Sequence, residues 1–113
     1  MITIAALKEY GANIDEGLSR CMGNEALYLR LTATIPNDVN FNKLCENIEA
    51  GDLGNAFENA HALKGVTGNL SLTPLYNPLV QITELLRARE DTDYTELMNE
   101  ILKQKDRLSE ICC

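Results

Sequence analysis

The chain has 113 residues, of which 45% are hydrophobic and only 5% aromatic, with no tryptophan. This suits one domain with a modest core of Leu, Ile and Ala, and excludes a disordered chain. The net charge of −7 excludes nucleic acid as the main partner, because phosphate backbones demand a basic surface.

Thr3 is placed to cap a short helix over Ile4 to Tyr10, closed by Gly11. A second short helical piece is predicted over Asn13 to Cys21. Gly23-Asn24 then punctuates, and Asn24 caps a helix from Glu25 to about Thr34. Its buried stripe is expected to be Leu27, Leu31 and Thr34-Ile35. Pro36-Asn37-Asp38 breaks that pattern. Beyond it, Phe41, Leu44, Cys45 and Ile48 recur at i, i+3, i+4 and i+7, the spacing of a helix buried on one side. Ala50-Gly51-Asp52 ends that helix and caps the next.

The central helix is predicted from about Leu53 to Leu70. Ser71-Leu72 turns the chain, and Thr73-Pro74 reads as a cap followed by proline at the first helical position. Leu75, Leu79, Ile82 and Leu86 follow at helical spacing, with a kink expected at Pro78. The last helix is predicted to start near Asp91 to Asp93 and to carry Tyr94, Leu97, Ile101, Leu108 and Ile111. Four long amphipathic segments with short connections, after a small N-terminal helical cap, predict an all-α, antiparallel four-helix bundle forming a single domain over residues 1–113.

Cys21, Cys45, Cys112 and Cys113 lack C-x-x-C spacing. They are expected to be free thiols, with no metal site; the spacing assigns the terminal Cys112-Cys113 pair no role. Neither a secretory leader nor an apolar run of about 18 residues is apparent, so the expectation is a cytoplasmic protein without membrane contact.

The stretch from Ala60 to Leu70 stands apart, because it holds the only histidine. With roughly 100° of rotation per residue, Ala56, Ala60, Leu63, Thr67 and Leu70 share one face and form a plausible core side. His61 falls roughly 140° from the centre of that face and is predicted to point outward. Lys64, Gly65 and Gly68 lie within about 60° of it. A glycine inside a helix costs about 1 kcal/mol relative to alanine, so two beside an exposed imidazole suggest that something needs close access to the ring.

His61, Leu63, Lys64, Gly65 and Gly68, followed by Asn69-Leu70, resemble the histidine-containing phosphotransfer (HPt) domain of bacterial multistep phosphorelays. The resemblance covers essentially the whole chain. One departure is Ser71, where the family often has glycine. The resemblance implies a phosphoryl carrier modified on Nε2 of His61. Its partners would be receiver domains of response regulators and hybrid histidine kinases, with Mg²⁺ held by the receiver and no cofactor on the carrier.

Histidine suits this chemistry, since an imidazole with a free pKa of about 6.5 is mostly neutral at physiological pH and keeps a nucleophilic lone pair. Lys64, one turn on, is within reach of phosphate oxygens, although Glu58 offers an alternative ionic partner. Gly65 and Gly68 would keep the face flat for a receiver's shallow acidic pocket; Gly68 equally suits the approaching helix end. Phe57, one turn before His61, either covers the bundle rim or anchors the partner. Asn69 is suited to helping close the helix end. No nucleotide-binding glycine loop is present, so the expected protein is a monomeric phosphocarrier rather than an enzyme. The alternative is a helical adaptor that docks a receiver without being phosphorylated. A small hydrolase is disfavoured, because no second acid–base residue stands at a defined spacing.

Overall fold

A computed structural model describes residues 1–113, and it is entirely helical. The helices are α1 (Ile4–Tyr10), α2 (Ile14–Arg20), α3 (Glu25–Thr34), α4 (Asn40–Glu49), α5 (Leu53–Asn69), α6 (Thr73–Arg87) and α7 (Thr95–Cys112), with a 3₁₀ turn at Ile35–Asn37. The caps explain most boundaries. Thr3, Asn13, Asn24 and Asp52 each accept a hydrogen bond from the backbone N–H three residues on, which satisfies a donor the helix itself leaves unpaired.

α4 packs on α5, α5 on α6 and α6 on α7. Connections of three residues join the first two pairs, short enough to turn the chain straight back. Leu44, Ala60, Leu63, Leu75, Leu79, Ile82, Leu86, Ile101 and Leu108 are fully buried between them. α1 reaches α7, where the Tyr10 hydroxyl donates to the Gln104 carbonyl at 3.1 Å. Burial is the main cause that raises the Tyr10 pKa.

Three expectations need correction. In α3 the buried side is Tyr28 and Thr32, continued by Ile35, whereas Leu31 is 40% exposed, Thr34 is exposed and Leu27 is half-buried. A stripe drawn through the leucines is rotated off the true one, because Tyr28 fills the space between α2 and the end of α5. At α6 the helix begins at Thr73 itself and the cap position is Leu72, with no side-chain cap. α6 continues past Pro78, which is buried and has no N–H to donate to the Pro74 carbonyl. In α7 the inward residues are Met98, Ile101, Gln104 and Leu108, and Leu97 and Ile111 are half-buried. The four cysteines are free, and no helix is long and apolar enough to cross a membrane.

Candidate functional site

α5 places its residues as its sequence demands. Asp52 accepts from the Asn55 side chain at 2.7 Å and from its backbone N–H at 3.2 Å. These bonds hold its carboxyl below the usual carboxylate range. Ala56, Ala60, Leu63 and Thr67 are fully buried. The Thr67 hydroxyl donates back to the Leu63 carbonyl at 2.8 Å, so its polar atom is satisfied within the helix. This burial turns His61 outward, and His61 is exposed.

The His61 ring stacks on Phe57, with centroids 5.6 Å apart and planes 19° from parallel. Phe57 is half-buried and carries two further partners. The Arg87 guanidinium carbon lies 4.9 Å from its ring centroid and that of Arg89 lies 5.5 Å away, within cation–π range. Arg87 is the last residue of α6 and Arg89 lies two residues beyond it, at the end that the α5–α6 turn brings back beside the first half of α5. Arg87 also pairs with Glu84 at 3.3 Å. Arg89 sits at φ +53° and donates to the Leu86 carbonyl.

One turn beyond His61, Lys64 is half-buried and has no carboxylate within ion-pair distance, so Glu58 does not take it. It borders an open polar depression of about 460 Å³ shared with Gly65, Asn69, Arg20 and Tyr76. The two glycines differ. Nothing lies within 4 Å of where a Cβ on Gly65 would stand, whereas one on Gly68 would meet the Tyr76 ring at 2.9 Å. The missing side chain of Gly68 admits an α6 aromatic.

The end of α5 is held by the N-terminal helices. Arg20 donates to the Gly68 carbonyl and, at 3.1 Å, to the Ser71 hydroxyl. That hydroxyl donates to Glu16 at 3.0 Å, and Glu16 pairs with Arg20 at 2.9 Å. Tyr28 donates to the Leu70 carbonyl at 2.9 Å, and the Asn13 N–H to that of Ser71 at 2.9 Å. Ser71 has φ +53°, a left-handed conformation that suits glycine; here a serine adopts it with its side chain tied down.

His61, Phe57, Lys64 and Gly65 thus lie along one side of α5, with Gly68 and Asn69 at its far end. Arg87, Arg89, Arg20 and Tyr76 were not singled out in the sequence, since nothing in local spacing connects them to His61. No cluster of three His, Cys, Asp or Glu side chains suited to a metal ion occurs. A family model described as the Hpt domain matches residues 33–111. No curated protein and no solved structure gives a match.

Proposed function

The chain belongs to the Hpt domain family, whose members carry phosphoryl groups in phosphorelays, and from that premise we propose that His61 is the phosphoacceptor of this protein. One observation carries the reading: the only imidazole of the chain is exposed on a helix flank, with open space beside it at Gly65. A phosphoryl donor needs in-line access to a ring nitrogen, and catalysis of such transfer is mostly positioning and charge stabilisation.

In the proposed step an aspartyl phosphate of a receiver domain presents phosphorus to Nε2 of His61. The N–P bond forms as the P–O bond to the aspartate breaks, and the carboxylate leaves with its electron pair. The proton on Nδ1 stays with the ring. The return step passes the group to a second receiver. Phe57 orients the ring, Lys64 offsets phosphate charge, and Gly65 leaves space for the partner; Gly68 serves mainly the packing of α6. Mg²⁺ belongs to the receiver, and the carrier needs no cofactor and has no kinase activity of its own. The reading includes residues 1–113 as one domain, α4–α7 as an antiparallel four-helix bundle, and a monomer working in the cytoplasm.

Incubation with receiver domains phosphorylated on aspartate should add one phosphoryl group, labile in acid and stable in base. His61→Gln keeps side-chain reach without a nucleophilic nitrogen and should abolish the label. Undiminished labelling of His61→Gln would overturn the proposal. Receiver binding by wild type without any label would favour the non-phosphorylated adaptor instead.

A further inference from the structure

Between Leu44 and Leu102 the sequence has ten Asp and Glu residues but only three Lys or Arg: Lys64, Arg87 and Arg89. All three converge on the flank of His61. Lys64 stands one turn after it on α5, and Arg87 and Arg89 stand over Phe57, one turn before it. Arg87 shares its charge with exposed Glu84 at 3.3 Å, while Arg20, the other cation near this side, is held by Glu16, Ser71 and the Gly68 carbonyl.

Arg89 shows how firmly this arrangement is built. Its backbone is left-handed at φ +53°, a conformation that costs a non-glycine residue free energy. Its guanidinium bonds the Leu86 and Arg87 carbonyls and reaches across to the first turn of α5, where Nη2 would lie 3.8 Å from a Cβ on Gly54. A freely solvated arginine has no such set of partners.

We propose that Arg87 and Arg89, mounted on Phe57, form with Lys64 a cationic frame around His61 that docks the acidic, phosphoryl-bearing pocket of the partner. The inference rests on the reading of His61 as phosphoacceptor. Its physical basis is the charge of the whole chain. At −7 the protein repels an anionic pocket at long range, and a local patch of opposite sign both steers the encounter and fixes which face arrives first. Arg87 and Arg89 are docking and positioning residues; they touch Phe57, and the ring of Phe57 holds His61.

The test uses the full chain and a panel of purified receiver domains phosphorylated with acetyl phosphate, taking the receiver that labels wild type fastest. Wild type and His61→Gln are first treated with phosphoramidate, a small donor that needs no docking. Failure to label wild type there and with every receiver removes the phosphoacceptor reading, and this inference with it.

Given labelling, Arg87→Ala/Arg89→Ala should slow transfer from the receiver by about tenfold at low salt, the scale of electrostatic steering. The gap should narrow as salt rises. Arg30→Ala/Lys103→Ala, which removes the same charge elsewhere, should transfer like wild type. Arg89→Gly removes the side chain while relieving the left-handed backbone, so it should slow transfer as Arg89→Ala does without loss of melting temperature. Equal slowing by the Arg30/Lys103 pair would overturn the frame in favour of net charge alone. An Arg87/Arg89 double variant with wild-type rate and salt dependence would overturn it outright.

Discussion

Lys64 and the two glycines divide the His61 flank into parts with different physical jobs. Lys64 is the half-buried cation nearest His61 in sequence on α5 and has no acidic partner. Lys64→Ala should therefore slow transfer without abolishing it, by about fivefold if the contact is worth about 1 kcal/mol at this partly solvated position. Single-turnover rates of label gain would check this, and complete loss would promote lysine from assistant to essential group. Alanine at Gly65 meets only open space, so Gly65→Ala should gain most of the helix-propensity difference of about 1 kcal/mol. Gly68→Ala must displace the Tyr76 ring and should forfeit that gain. Thermal melts of the two variants should thus separate, with Gly65→Ala the more stable.

At the scale of elements, the main dependence is that of α5 on α2 and α3. Three carbonyls at and beyond its C-terminal end, those of Gly68, Leu70 and Ser71, find their partners in Arg20, Tyr28 and Asn13. Gly17 lets α2 come this close, since a Cβ there would stand 2.5 Å from the Tyr28 ring and 2.9 Å from the Leu70 oxygen. Ser71 joins the two parts. Ser71→Ala loses both side-chain bonds and keeps the left-handed strain, whereas Ser71→Gly loses the same bonds and sheds the strain. The glycine variant should be the more stable by about 1 kcal/mol, read as a higher melting temperature or denaturation midpoint. The reverse order would show that Ser71 is not held in that conformation in solution. On the other side of α5, Asn59 donates to Asn40 at 3.1 Å and accepts from Asn47 at 2.7 Å. This polar ladder pins the register of α4 against α5, because a shift would leave half-buried amides unpaired.

For the whole molecule, the buried phenols set a limit on alkaline stability. Burial pushes the Tyr28 pKa up to about 12, and it raises those of Tyr10 and Tyr94 as well. An unfolded tyrosine titrates near 10. Their contribution to stability is therefore complete below about pH 10 and is lost as pH rises through the higher folded values. Helicity followed by circular dichroism should hold to about pH 10 and fall beyond it, together with the tyrosinate absorbance rise. Tyr28→Phe, which loses its bond to the Leu70 carbonyl, should be less stable at neutral pH but show a weaker alkaline decline. Ionisation of Tyr10, Tyr28 and Tyr94 near pH 10 in a fully folded chain would contradict this account.

What the sequence determined by itself was the arrangement along α5 that depends on the helical repeat. Spacing put Ala56, Ala60, Leu63 and Thr67 inward and His61 outward, and it set Lys64 and Gly65 one turn from the ring. The caps Thr3, Asn24 and Asp52 were legible for the same reason, since each bond closes over three residues. Only the tertiary structure decided the rest. Arg87 and Arg89 reach Phe57 because α6 folds back along α5, Tyr76 occupies the space of Gly68, and Arg20 meets Ser71 across 51 positions. The buried side of α3 also lay beyond local reading. Its leucines and its tyrosine offered competing stripes, and the contact of Tyr28 with Gly17 and the end of α5 selected between them. Rotation about a helix axis is fixed within a few residues by backbone geometry, but the choice of neighbours is fixed by packing between distant segments, which no local spacing encodes.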